Sequence, residues 1–342
     1  MKNSRNNYCE ELVKDTPQRS EYYDGILQLL RDKKEIADKK RDEYISVQKY
    51  KSDSKKYRND FIRMLGFPLT EKRLMPKEDS RIFVATDGNV NIYRMTFTFF
   101  DVVKVYGIYF EQKENKKSPF VMCFHGGEGT PELISGMHLD SANYNNILRR
   151  TTDKGANVFA PQLLLWSVKN YGNPMNRDET DGKLKQLGGS ITSLELYFAR
   201  GIIDYFIENE EINPKKVYSM GLSYGGMYSL FLSAIDIRIK ACYTCSWVCD
   251  CFDYSWEDWC YQNSQYFFTT AEVAALVCPR TLIVAMGKKD ELFDYRKTER
   301  VCREVERYYA EFRANDKFRL TLFDGGHEFD KSDLDLDFFL KQ

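Results

Sequence analysis

Two hydrophobic periods divide the chain. Within residues 1–66, apolar side chains recur every three or four positions among many Lys, Arg, Asp and Glu: Tyr23, Ile26, Leu27 and Leu30, then Tyr44 and Ile45, then Phe61, Ile62 and Leu65. That spacing predicts two or three amphipathic helices ending near Gly66-Phe67-Pro68. From residue 81 the period shortens. "RIFVATDGNVNIYRMTFTFFDVVKVYGIYFEQ" alternates apolar and polar positions around an Asp87-Gly88 turn signal, which predicts antiparallel strands. After Lys117 short apolar runs at 119–124, 156–161, 216–220, 239–245, 280–286 and 318–323 predict further strands. Helical patterns separate them, notably at 190–208, 225–235 and 295–312. Strand–helix alternation of this kind predicts an α/β fold. Its central sheet is mostly parallel with helices on both faces, antiparallel strands open it, and a helical extension precedes it.

The stretch "VYSMGLSYGGMYSL" joins one of these strands to one of these helices. Between them lies Gly221-Leu222-Ser223-Tyr224-Gly225, a G-x-S-x-G pattern. In a tight strand-to-helix turn the flanking glycines remove Cβ atoms that would strike neighbouring backbone, and the serine is pushed out at the helix N-terminus. There the helix dipole and free N–H groups favour developing negative charge. The pentapeptide alone is equally compatible with a glycine-rich turn holding an incidental serine.

The other strand ends decide between these readings, because functional groups in an open parallel sheet gather at the carboxyl ends of its strands. After 119–124 comes His125-Gly126-Gly127-Glu128; after 280–286 comes Gly287-Lys288-Lys289-Asp290; after 318–323 comes Asp324-Gly325-Gly326-His327. A serine hydroxyl needs a base beside it to attack an acyl carbon. Of the three histidines, His125, His138 and His327, only His327 lies downstream of Ser223, and it is the candidate base. Asp290 is the candidate carboxylate that orients it, with Glu291 and Asp294 as rivals. The tetrahedral oxyanion needs fixed donors. The backbone N–H of Tyr224 and those of Gly127 and Glu128 are the candidates, with His125 expected to serve structurally.

Composition narrows the partners. Lys and Arg (50) nearly cancel Asp and Glu (51) over 342 residues, which argues against nucleic acid or an anionic membrane as the partner. No window reaches the length of a membrane span, and "MKNSRNNYCEELVKD" has no apolar signal core. The expectation is a cytoplasmic protein whose nine cysteines are reduced. The helical first 66 residues are expected to pack on the body or on a second copy, in a homo-oligomer.

With these motifs in place the chain resembles the α/β-hydrolase superfamily, and within it the bacterial dienelactone-hydrolase-like and acetyl-xylan-esterase-like branch. "FHGGEG", "GLSYGGMYSLFLSAIDIRIKA", "LVCPRTLIVAMGKKDELFD" and "GGHEF" carry the resemblance, over roughly residues 80–342. It implies a serine hydrolase with a Ser223–His327–Asp290 triad, without metal or organic cofactor. Cys278 and Thr281 depart from the more apolar or proline-rich sequence of relatives, a difference expected to be neutral for chemistry. The lack of a signal core favours a small imported ester, an acetylated sugar among the candidates, over an extracellular polysaccharide.

Two stretches interrupt the strand–helix pattern and are expected to be lid-like inserts, near 162–189 and 246–268. The second is crowded with Trp247, Phe252, Tyr254, Trp256 and Trp259. Trp166, Trp247 and Trp256 are the candidate substrate contacts, against the alternative that the insert buries its own aromatics. Arg177, in the first insert, is a candidate partner for a substrate carboxylate or else a surface residue. Cys242, Cys245, Cys249, Cys251 and Cys260 lack the paired spacing of a zinc clip, so no metal is expected. The expected activity is hydrolysis of carboxylic esters through an acyl-enzyme. A serine peptidase or thioesterase on the same fold is the alternative within enzymes, and a non-catalytic binding protein the alternative outside them.

Overall fold

The computed structural model describes residues 16–342 apart from 115–117, 139–140, 167, 173, 210 and 255. The alternating stretch becomes three long strands, β1 (Lys77–Asp87), β2 (Val90–Phe99) and β3 (Val103–Gln112). The short apolar runs become β4 (Phe120–Phe124), β5 (Asn157–Pro161), β6 (Val217–Leu222), β7 (Ile239–Cys245), β8 (Thr281–Gly287) and β9 (Phe318–Phe323). β1 to β3 alternate or vary in burial, whereas β4 to β8 are buried almost throughout, as strands covered on both faces require.

These strands form one sheet in the order β1-β2-β3-β5-β4-β6-β7-β8-β9. The pairings from β1 to β5 are antiparallel, and every pairing from β5 to β9 is parallel. From β4 the chain moves to β5 on one side, while from β6 it moves to β7 on the other. The connections leaving these two adjacent strands therefore diverge and open a crevice at their carboxyl ends. His125-Gly126-Gly127 and Ser223 are the residues that follow those two ends.

The helices are α1 (Pro17–Tyr44), α2 (Val47–Ser52), α3 (Ser54–Leu65), α4 (Pro131–Ile134), α5 (Ile147–Asp153), α6 (Val168–Tyr171), α7 (Arg177–Gln186), α8 (Ile191–Glu208), α9 (Tyr224–Ile235), α10 (Thr270–Ala275), α11 (Tyr295–Glu311) and α12 (Leu334–Leu340). One face of the sheet packs on α8, α9, α10 and α11, the other on α5 and α12. Among the described residues, no helix is long and apolar enough to cross a membrane.

The N-terminal helices differ from one another in how they meet the body. Tyr50 of α2 and Tyr57, Phe61 and Leu65 of α3 are buried in the same apolar core as α8 and α9. The Tyr50 hydroxyl donates to the Cys278 carbonyl (3.0 Å), and Phe61 meets Phe231 edge-on (5.1 Å). α1 touches the body through its second half, where Ala37 is buried and Arg41 donates to the Gln265 carbonyl. Its first half keeps Tyr23, Ile26 and Leu30 exposed, so only part of the predicted apolar stripe is covered within the chain.

A chain beginning at Gly66 should therefore lose solubility and melt at lower temperature, because it uncovers the core that α2 and α3 seal. The single change Phe61→Ala should cost about 3–5 kcal/mol in urea denaturation, the usual cost of emptying a buried aromatic position. A loss below about 1 kcal/mol would mean that α3 is not part of the cooperative core.

Candidate active site

Ser223 stands between β6 and α9 with φ 59° and ψ −124°, a conformation that L residues rarely adopt. The turn is held in place by close backbone contact. A Cβ on Gly221 would lie 2.2 Å from the Gly225 carbonyl oxygen, and one on Gly225 would lie 2.0 Å from that of Phe124. No other residue fits either position, so the glycines of the G-x-S-x-G pattern are imposed by packing. The Ser223 N–H donates to the Cys245 carbonyl (2.9 Å), which ties the turn to the end of β7.

Asp290 and His327 come together across the ends of β8 and β9. His327 Nδ1 lies 2.9 Å from Asp290 Oδ2, and the Asp290 side chain is wholly buried. Asp290 Oδ1 accepts the N–H groups of Leu292 (2.9 Å) and Phe293 (3.0 Å), so both carboxylate oxygens are engaged. Burial alone would raise the Asp290 pKa. The histidine bond and charge and the two backbone donors outweigh it and hold the carboxyl below its ordinary value. Close approach again matters: a Cβ on Gly287 would stand 2.2 Å from the Gly326 carbonyl oxygen, so glycine is needed where the two loops meet. The rivals are placed differently. Asp294 caps α11 through the Arg296 N–H (2.9 Å), and Glu291 is exposed with its carboxylate near Gly326.

Ser223 and the His327 loop are linked through shared neighbours. The Cys245 thiol donates to the Glu328 carbonyl (3.3 Å), next to His327, while the Cys245 carbonyl holds Ser223. Aromatic rings form a second link. Tyr224 packs on Trp259 (5.2 Å), Trp259 stacks on Phe293 (6.1 Å), and Phe293 meets the His327 ring (5.7 Å). Among the described residues no hydrogen bond joins Ser223 Oγ to His327.

The oxyanion candidates fare unequally. As first residue of α9, Tyr224 has an N–H without an intrahelical acceptor. Gly127 lies against the Tyr224 ring, and its N–H makes no backbone hydrogen bond among the described residues. Glu128 is a correction: its N–H is committed to the Leu165 carbonyl (2.9 Å), so it is not available to an oxyanion. His125 is fully buried. Its Nδ1 meets the Gly126 carbonyl (2.8 Å) and its Nε2 accepts the Leu163 N–H (2.9 Å). Burial pushes its pKa down to about 4, so it is a neutral brace for the loop.

Among the aromatic candidates, Trp256 is 42% exposed and stacks over Tyr224 at 5.9 Å, at the rim of the site. Trp166 is partly buried and follows Leu165, the residue that holds Glu128. Trp247 is a correction: at 1% exposure it is wedged between Phe231 and Trp259 in the core and presents no face to a substrate. Arg177 is neither on the surface nor open to a ligand; it is buried against Asp258 (2.7 Å) and Glu195 (3.2 Å). Among the described residues no three His, Cys, Asp or Glu side chains gather where they could hold a metal, and Cys9 lies outside those residues.

Sequence reasoning missed one segment, "SANYNN" at 141–146. The Tyr144 hydroxyl accepts the Gly126 N–H (2.8 Å). Asn143 Nδ2 donates to the His327 carbonyl (2.9 Å), and Asn145 Nδ2 donates to Glu328 Oε2 (2.8 Å). One segment thus braces both the glycine loop and the histidine loop. Its signal was the run of asparagines, which tolerate the left-handed backbone that Asn145 and Asn146 adopt.

No family model matches the chain. In sequence it is similar to the provisionally named hydrolase YtaP of Bacillus subtilis (strain 168), 23% identical over 288 residues that cover 79% of this chain and 92% of that protein. In structure it is similar to a provisionally named acetyl xylan esterase from Bacteroides fragilis NCTC 9343, with a TM-score of 0.67, 15% identity, and 82% of this chain and 76% of that one covered. It is also similar to a glucuronoyl esterase from Solibacter usitatus, with a TM-score of 0.63, 14% identity, and 85% and 92% covered. The chain has the α/β-hydrolase fold.

The lowered Asp290 pKa has a consequence for stability. A carboxylate whose folded pKa is depressed contributes stability that is present above its ordinary value of 3.8 and is lost as the pH falls through the folded value. Near neutral pH Asp290→Asn should therefore melt below the wild type. The gap should close as the pH drops below 3.8, as read by thermal denaturation across pH. A gap that stays constant through that range would remove the Asp290–His327 pair as its cause.

Proposed function

We propose that the protein is a serine hydrolase of carboxylic esters. The observation that carries this reading is the conjunction, at the carboxyl ends of the parallel strands, of a strained serine at a helix N-terminus and a histidine bonded to a buried carboxylate. That set of groups performs acyl transfer on unrelated folds. The esterase names of the similar structures agree with it.

In this reading Ser223 Oγ attacks the ester carbonyl and His327 Nε2 takes its proton, while Asp290 fixes the imidazole tautomer at Nδ1 and balances the imidazolium. The carbonyl oxygen, now negative, receives the N–H groups of Tyr224 and Gly127. His327 then gives its proton to the departing alcohol, and an acyl ester on Ser223 remains. Water, deprotonated by the same histidine, releases the acid and restores the serine. The missing Ser223–His327 bond is consistent with this sequence, because such bonds are often long in a resting site and tighten when substrate arrives.

The rim favours a small ester bearing a ring. Trp256 offers an exposed indole face, and Trp166 is the second candidate wall. An acetylated sugar or an aryl ester could stack there. Arg177 cannot serve as a cation for an acidic substrate, since it is enclosed and neutralised by two carboxylates.

The test is a substrate screen across acetyl-sugar, aryl, thio- and peptide esters, with a fluorophosphonate probe read by mass spectrometry. Ser223 should be the labelled serine. Ser223→Ala should lower turnover of a short-chain p-nitrophenyl ester by several orders of magnitude, and Asp290→Asn by about 10⁴-fold without unfolding. Asp294→Asn should keep its activity. Activity within tenfold of wild type in Ser223→Ala would sink the assignment, and preferred cleavage of thioesters or peptides would move it to those classes.

A further inference from the structure

Beneath the site lies a buried ionic cluster that the proposed reaction does not use directly. Arg177 of α7 donates from Nε to Asp258 Oδ2 (2.7 Å), from Nη1 to Glu195 Oε2 (3.2 Å) and the Leu164 carbonyl (2.9 Å), and from Nη2 to the Tyr228 hydroxyl (2.8 Å). The Tyr228 hydroxyl in turn donates to Glu195. The remaining oxygens point outward from the cluster. Asp258 Oδ1 accepts the Tyr224 hydroxyl (3.1 Å), and Glu195 Oε1 accepts the Leu164 N–H (2.6 Å).

Both exits lead to an oxyanion donor. The first ends on Tyr224, whose backbone N–H is one of the two. Its ring is held at the hydroxyl by Asp258, stacks on Trp256 and meets Trp259 in an edge-type contact, and the Arg177 guanidinium lies 5.5 Å from its centre. The second ends on residues 163–165, which carry the other donor's loop. The Leu163 N–H is bonded to His125, and the Leu165 carbonyl accepts the Glu128 N–H. The two exits meet again at the site, where a Cβ on Gly127 would stand 3.6 Å from the Tyr224 ring.

We propose that Arg177, Asp258 and Glu195 are positioning residues that set the distance and angle between the Tyr224 and Gly127 N–H groups. This rests on the esterase reading above and deepens it. A guanidinium presents its donors in one rigid plane, so carboxylates and a carbonyl bonded to it cannot shift independently. Oxyanion stabilisation depends steeply on donor geometry, because the donors must be aimed where charge develops and must not reorganise during the reaction. The cluster also gives the two inserts a shared purpose. Arg177 comes from the first and Asp258 from the second, and they meet under the elbow, so that the inserts brace the floor of the site as well as its rim.

A cluster that served stability alone would lower the melting temperature and leave the chemistry of the folded fraction untouched. The experiment separates the two roles by measuring kcat and KM on p-nitrophenyl acetate, per serine titrated with a fluorophosphonate. Tyr224→Phe deletes only the hydroxyl that reaches Asp258. It should lower kcat about tenfold with KM changed less than about twofold, a fraction of the loss that follows removal of an oxyanion donor. Asp258→Ala should move kcat in the same direction. Phe339→Leu, a core change in α12 on the opposite face of the sheet, should lower the melting temperature and leave kcat per titrated serine unchanged. A Tyr224→Phe enzyme that is fully labelled and keeps kcat within about twofold of wild type would overturn the positioning role while leaving the esterase reading intact. Should Asp258→Ala fail to fold, Tyr224→Phe alone decides. Wild-type protein that neither labels at Ser223 nor hydrolyses any ester would instead remove the esterase reading, and the positioning role with it.

Discussion

The site depends on how closely the start of α9 can approach the ends of β4 and β6. Backbone meets backbone there at distances that leave no room for a Cβ on Gly221 or Gly225. Because α9 is drawn in against Phe124, its N-terminus opens directly beside the loop after β4. The Tyr224 N–H and the Gly127 loop then become neighbours. The strained φ of Ser223 follows from the same contact, since the chain must reverse within one residue between a buried strand and a buried helix. The rest of the fold serves to hold that reversal. The parallel strands fix its level, and the divergent connections at β4 and β6 leave the space in front of it open.

The two histidines illustrate how one residue type takes opposite roles under this constraint. His125 follows the central strand β4, so it is enclosed on all sides and kept neutral, and both ring nitrogens are spent on backbone groups. His327 follows the edge strand β9, where the loop after Gly325-Gly326 can fold over the end of β8. There it meets a carboxylate whose second oxygen is already bound to backbone. The same sequence signal, a histidine next to two glycines after a strand, therefore gives a brace in the middle of the sheet and the partner of a buried carboxylate toward its edge.

The inserts are the part of the molecule where chemical composition was least informative. A segment rich in tryptophan invites the idea of a binding wall, yet Trp247 and Trp259 are core residues and only Trp256 keeps a face in solvent. An arginine in a polar stretch suggests a surface group, yet Arg177 is enclosed by two carboxylates and two tyrosines. In each case the side chain's fate was set by which residues other segments brought against it.

The strand and helix pattern, the place of Ser223 in a tight turn, and the strand-end positions of Asp290 and His327 were legible in the chain itself. Periodicity reports which face of an element is buried, and short-range sterics dictate glycines around a sharp turn. These are local properties, complete within a few residues. The tertiary structure alone decided that Glu128 gives its N–H to Leu165, that Trp247 turns inward, that the asparagine-rich 141–146 segment braces two loops, and that Arg177 joins Asp258 and Glu195 beneath Tyr224. Each of these is a contact between segments far apart in the chain. Whether a polar group faces a substrate or a partner depends on what the fold carries to it, and neither hydrophobic period nor motif spacing records that.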